Sequence, residues 1–305
     1  MPASAAALAP AAAGPLVAEP AAARGDRLMF AQEFMRNALL AGTFVALACG
    51  VAGWFIVLRG QVFAGDALSH VAFPGALAAA AAGADQRVGL FAATVAFGAA
   101  MGVLGRGPLA GRGGGSSGFE RADDAAIGIV FMLILGLGVF FLTRFSLSSG
   151  GVSGIQAAHT LFGSVFGLSS GEARLAAAVA LAAVALTLAA ARPLLFASVA
   201  PEIASARGVR TRLLGVAFLA LLGVIAAEAA QAVGALLLLG LLAAPAAAAH
   251  RMARGPFAGV ALAGLLAVAA TWAGLALAYA IPSLPPSSAI VGIAVSIFYA
   301  SRLIA

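Results

Sequence analysis

Apolar residues fall in blocks of about twenty along this chain, separated by short stretches that hold most of the charge, and helices of that length cross a hydrocarbon layer of about 30 Å. Nine such segments are predicted, at roughly 37–58, 63–83, 88–105, 125–143, 173–190, 213–230, 232–249, 257–280 and 287–304. Within each block the apolar residues run all round rather than alternating, which excludes the period-two strands of a membrane β-barrel. The pattern predicts an all-α polytopic membrane protein of eight or nine transmembrane helices.

The stretches between blocks divide the chain further. Residues 1–34 are rich in Ala and Pro and carry no basic run ahead of an apolar core, so they read as a disordered N-terminal extension and not as a signal peptide. Residues 35–305 then form the membrane domain. Gly105 to Gly118 is a Gly/Ser linker. Residues 145–171 are a moderately polar segment whose AAHTLFGSVFGL core predicts a short re-entrant or interfacial helix. In 192–212, Pro201 suits the first turn of a short helix running through Glu202 and Ala204 and ending at Gly208, a loop fit to dock a soluble partner.

Composition removes the soluble classes. The 305 residues are 63% hydrophobic and only 9% charged, with a mean hydropathy of +1.08. Soluble domains carry about 25% charged residues. The formal charge of +6 does not indicate nucleic acid, because all the basic side chains are arginines dispersed singly or in pairs between apolar blocks. They orient the chain instead. With the N-terminus outside and the C-terminus inside, eleven of the seventeen arginines fall in inner loops, as cytoplasmic enrichment in positive charge requires. The single cysteine, Cys49, lies inside an apolar block and forms no intramolecular disulfide.

Charges within apolar segments are costly and mark function by default. One stretch stands out: Gly65-Asp66-Ala67-Leu68-Ser69-His70, followed by Val71-Ala72-Phe73-Pro74-Gly75. Asp66 and His70, spaced i, i+4, share a helix face and offer one oxygen and one nitrogen donor to a borderline divalent cation. Pro74 removes a backbone donor in mid-segment, and Gly65 and Gly75 allow close approach, which predicts a kinked or broken helix lining a polar path. Three readings of the pair stand on the residues alone: metal donors, a packing contact, or a proton relay.

Weaker candidates lie elsewhere. Glu228 and Gln231 lie at the end of a segment, where a carboxylate reaches water. His159 lies in the outer segment, within reach of incoming metal, whereas His250 beside Arg251 is placed at a helix end and is not taken as a ligand. Asp123 and Asp124 precede a helix and offset its positive end.

The stretch GDALSHVAFPG resembles the GD-x-x-SH-x-x-x-PG signature of the ABC-3 family, integral permeases of ATP-driven importers for zinc, manganese and iron. The resemblance extends to FERADDAAIGIVFMLILGLGVFF (119–141), LFGSVFGLS (161–169), QAVGALLLLGLLAAPAAAAHRM (231–252) and the terminal PPSSAIVGIAVSIFYASRL, so it spans residues 36–305. It implies a bundle like that of type II ABC importers, in a bacterial cytoplasmic (inner) membrane. It implies a homodimer, bound inside by ATP-hydrolysing subunits and fed outside by a metal-loaded binding protein. Asp66 and His70 would then meet the transported metal, no cofactor would be held permanently, and ATP would act only through the partner subunit. Residues 192–212 would be the coupling element. There the family's Phe-Asp-x-Glu-x-Ala pattern is kept only at Glu202 and Ala204.

The chain itself holds no G-x-x-x-x-G-K-[ST] phosphate loop, so it is expected to be a transport subunit and not an enzyme. Two alternatives are a stand-alone proton-coupled metal carrier using Asp66 and His70, and, remotely, an intramembrane serine protease built on Gly151-Val152-Ser153-Gly154 with His159 or His250 as base.

Overall fold

The computed structural model describes residues 32–104, 131–143, 165–232, 234 and 238–304. The N-terminal extension before residue 32, the Gly/Ser linker, Asp123, Asp124, Ser153 and His159 lie outside the described residues. Among the described residues the secondary structure is entirely helical.

Eleven α-helices follow in order: α1 (Glu33–Leu58), α2 (Val62–Ala81), α3 (Gln86–Leu104), α4 (Phe131–Thr143), α5 (Ser170–Ala189), α6 (Ala191–Val199), α7 (Pro201–Ala206), α8 (Thr211–Ala232), α9 (Leu238–Met252), α10 (Pro256–Ala280) and α11 (Pro286–Ile304). Seven are long and apolar enough to cross a membrane: α1, α2, α3, α5, α8, α10 and α11. Two shorter apolar helices, α4 and α9, overlap two further expected segments, 125–143 and 232–249. In this region α8 continues to Ala232, Gly234 has φ +98°, and the described part of α9 runs from Leu238.

The helix α1 is the hub. It is apolar on every side, and α5, α8, α9 and α10 all pack on it. Glycines let the backbones approach: a Cβ at Gly50 would lie 2.8 Å from Gly264 Cα of α10, and one at Gly53 would collide with the Leu242 carbonyl of α9. On one flank α9, α10 and α11 pack on one another. On the other, α2, α3 and α8 do the same, and this flank carries Asp66 and His70. Because α3 and α8 run antiparallel, the start of α3 meets the end of α8 at one end of the bundle. The short helices α6 and α7 lie at the opposite end, between α5 and α8.

The start of α5 shows why these residues form a helix where they do. Ser169 and Glu172 make a capping box: the Glu172 N–H donates to Ser169 Oγ at 3.3 Å, and the Glu172 carboxylate accepts from the Ser169 N–H at 2.9 Å. Just before it, the turn Val165–Gly167 is fastened to α1 by Asn37 Nδ2 donating to the Leu168 carbonyl at 3.1 Å and by an edge contact of Phe34 with Phe166.

Candidate metal-handling site

The residues of GDALSH open α2. The helix runs unbroken from Val62 to Ala81 through Pro74. Its proline is instead covered by α4, where a Cβ on Gly138 would sit 2.8 Å from Pro74 Cγ. Gly75 faces Gly89 of α3 closely enough that a Cβ on either would press on the other's carbonyl oxygen. Gly65 lies against α9, 2.7 Å from a Leu242 methyl to the position of a Cβ. These glycines set how near α3 and α9 come to the helix that bears the polar pair.

Asp66 and His70 lie side by side, with His70 Nε2 3.8 Å from Asp66 Oδ1. That is longer than a hydrogen bond, so neither group satisfies the other. Their side chains are 32% and 23% exposed, on a helix whose neighbouring Leu68, Ser69 and Val71 are buried. The imidazole is held from one side by Phe131 of α4, ring to ring at 5.3 Å. The pair thus offers an oxygen and a nitrogen, both open to a third species. No group of three or more His, Cys, Asp and Glu forms among the described residues.

Glu228 contradicts its expected hydration. It is 2% exposed, and Arg87 at the start of α3 donates through Nη2 to both carboxylate oxygens, at 3.1 and 3.4 Å. The carboxylate is already matched by a guanidinium and lies at the end of the bundle away from Asp66. Sequence reasoning missed this pair because Arg87 read as a loop charge and its partner is 141 positions away. Gln231 turns back on its own helix, its Nε2 donating to the Ala227 carbonyl at 3.4 Å.

At the other end, His250 stacks on Trp54 of α1 at 4.6 Å, with ring planes 8° apart, and its Nε2 lies 2.9 Å from the Trp54 carbonyl. A carbonyl only accepts, so this nitrogen carries the proton. Nearby, Arg59 rests on the Phe218 ring at 5.5 Å, and burial pushes its guanidinium below its usual value.

The loop 192–212 is more ordered than one short helix. It holds α6, with Pro193 in the first turn, and then α7, with Pro201 at its first position. The turn after α7 closes with Gly208 at φ +83°, its N–H donating to the Ser205 carbonyl and the Val209 N–H to the Ala204 carbonyl, both at 3.0 Å. Pro201 and Ala204 are buried, while Glu202 and Ile203 are exposed. This helical pair therefore presents a small mixed surface directly between α5 and α8.

Comparison with known proteins agrees with this architecture. The ABC 3 transport family matches residues 31–305. The manganese transport system membrane protein MntC of Halalkalibacterium halodurans is 28% identical over 66% of this chain and 63% of its own length. The manganese transport system membrane protein MntB of Synechocystis is 32% identical over 64% of this chain and 57% of its own. The chain therefore aligns with less than two thirds of each of these relatives. Among solved structures, PsaBC from Streptococcus pneumoniae in complex with Fab superposes with a TM-score of 0.78 at 26% identity, over 93% of this chain and 96% of that one. An inward-facing putative metal-chelate type ABC transporter shares the fold, with a TM-score of 0.65 at 16% identity over 94% of this chain and 92% of that one. With a family match over all but the first thirty residues and the same helical bundle in both neighbours, the chain belongs to the ABC 3 transport family.

Proposed function

We propose that this chain is the membrane-spanning permease subunit of an ATP-driven importer for a divalent transition metal, manganese first, with iron or zinc as the other cargoes its donors suit. Asp66 and His70 touch the ion in transit. The observation that carries the reading is this pair: an oxygen and a nitrogen donor side by side, partly exposed and not bonded to each other, in an otherwise apolar helix. The relatives named for manganese support the order of cargoes.

The chemistry follows from the donors. A carboxylate offsets part of a dication's charge while a neutral imidazole adds a nitrogen bond, and two such donors hold the ion weakly enough to release it. A second copy of the chain brings the set to four. The protein sits in the cytoplasmic membrane with its N-terminus outside and the α6–α7 end inside. There the exposed Glu202 and Ile203 meet a separate ATP-hydrolysing subunit, and a metal-loaded binding protein delivers at the opposite end. ATP-driven movement of α6 and α7 switches the path from outward to inward access.

The test is uptake of radioactive manganese by proteoliposomes holding the chain, its ATPase partner and the loaded binding protein. Loss of a supporting group beyond the ligands alone costs about 10–100-fold at metal sites, so Asp66→Ala and His70→Ala are expected to lower uptake by at least about tenfold in a folded, inserted chain. Unchanged uptake in both variants removes the pair from the path. Uptake by the chain alone, driven by a proton gradient and indifferent to ATP, overturns the importer in favour of a proton-coupled carrier.

A further inference from the structure

The seam between α3 and α8 is built so that the two helices cannot slide. A Cβ at Gly223 would lie 2.5 Å from the Thr94 carbonyl oxygen, one at Gly102 would lie 2.6 Å from Val216 Cα, and one at Gly98 would strike the Leu219 carbonyl. Backbone therefore rests on backbone, and any translation drives side chains into it. Each end is also tied: Arg87 holds Glu228 at one, and Arg212 Nη2 donates to the Val103 carbonyl at 3.2 Å at the other. The Arg87 side is fixed in turn, since Asp85 Oδ1 accepts from the Arg87 and Val88 N–H groups at 2.7 and 3.2 Å. Through Gly75 and Gly89, α2 joins the same unit.

Against α5 the arrangement is the opposite. An open groove of about 550 Å3 separates α3 from α5, walled by Phe91, Val95, Leu175 and Val179, with Arg87 and Glu228 beside it. Both helices that flank α6 and α7 thus border α3, one locked and the other spaced from it by a groove.

Resting on the permease reading above, we propose that Arg87 and Glu228 are positioning residues of the transport cycle. They clamp α8 to α3 and α2, so that movement of the α6–α7 hairpin is passed through α8 to Asp66 and His70 while α5 shifts into the groove. The buried ion pair keeps the far end of α8 from peeling away when its near end is pushed. A seam held by glycines alone would let that end splay, and the push would be lost before it reached α2.

Two spin-label pairs test this in the complete reconstituted assembly. Val88→Cys with Leu175→Cys reports α3 against α5, and Val103→Cys with Leu213→Cys reports α3 against α8; all four side chains are exposed, and native Cys49 is buried out of reach of the label. Labelled chain is diluted into unlabelled chain so that each distance lies within one protomer. Between nucleotide-free and ATP-trapped states, the α3–α5 distance is expected to change by about 2 Å or more, the scale of helix shifts at moving interfaces, while the α3–α8 distance holds. A fixed α3–α5 distance, or a moving α3–α8 distance, in labelled chains that still import metal overturns the clamp and leaves the permease reading intact. Absence of ATP-dependent uptake in the native assembly sinks the reading itself. Glu228→Gln is expected to keep ATP hydrolysis but lower metal moved per ATP by about tenfold, within the usual range of coupling between sites, and Arg87→Glu with Glu228→Arg to recover part of it. A purely structural role would lower both rates together, and an unchanged ratio in Glu228→Gln overturns the proposal.

Discussion

Among the described residues, two acid–base pairs sit in this apolar bundle, and they are opposites. Arg87 and Glu228 close on each other at 3.1 Å with the carboxylate almost wholly buried. Asp66 and His70 stand 3.8 Å apart, each about a quarter to a third exposed. The first pair answers one charge with another and ties two helices together. The second leaves its oxygen and nitrogen open to a third species. Intramembrane polarity alone does not single out a transport site; the two pairs differ in whether the charge is answered among the described residues.

That contrast gives the largest expected effect. Arg87→Ala strands a buried carboxylate and is expected to destabilise the bundle by about 3–5 kcal/mol, whereas replacing both partners by apolar residues of similar size, Arg87→Met with Glu228→Leu, recovers most of the loss. Asp66→Ala, at a partly exposed group with no hydrogen bond to lose from its carboxylate, is expected to cost about 0.5 kcal/mol or less. Thermal or denaturant unfolding in detergent reads all three. Equal losses at Arg87 and Asp66 would erase the distinction. Manganese sharpens it from the other side: at a hundredfold excess over Kd, binding to the native chain is expected to stabilise it by about 2.7 kcal/mol. Asp66→Ala and His70→Ala should abolish that gain and Glu228→Gln should keep it.

Asp66 and His70 were legible in the sequence because both lie on one short stretch of a single helix, where an i, i+4 spacing fixes their relation without any knowledge of the fold. The membrane helices were legible for a similar reason, since runs such as Leu213 to Ala230 carry their own signal of length and polarity. Arg87 and Glu228 were not legible as partners. Each lies near a helix end, where charge is ordinarily hydrated, and only the packing of α3 on α8 makes them neighbours. The helix α6 escaped because Arg192-Pro193 resembles a break after α5, whereas proline in a first turn is compatible with starting a new helix. Gly75 was readable as small, but its facing partner Gly89 could be known only from the fold.

The glycine seam allows a middle-sized test. Gly223→Ala places a methyl group 2.5 Å from the Thr94 carbonyl oxygen and is expected to cost about 1–3 kcal/mol through overpacking. Gly136→Ala in α4 and Gly292→Ala in α11 meet open space, and the better helix propensity of alanine is expected to make them neutral or stabilising by up to about 1 kcal/mol. Unfolding midpoints for the three variants separate the seam from ordinary helical glycine, and a harmless Gly223→Ala would show that α3 and α8 have slack between them.

The smallest expected effect concerns a third polar tie, the exposed one at the start of α5. Ser169→Ala removes the oxygen that accepts from the Glu172 N–H, but the Glu172 carboxylate still accepts from the backbone N–H of residue 169. Half of the capping box therefore survives, and water reaches the half that is lost. The cost is expected to be about 1 kcal/mol, against several for Arg87→Ala. Hydrogen exchange locates it: the Glu172 amide should exchange faster in the variant, while protection along α3 and α8 stays as it was. Faster exchange at Thr94 or Leu219 as well would mean that α5 braces the α3–α8 seam, and that the two sides of the groove are not mechanically separate.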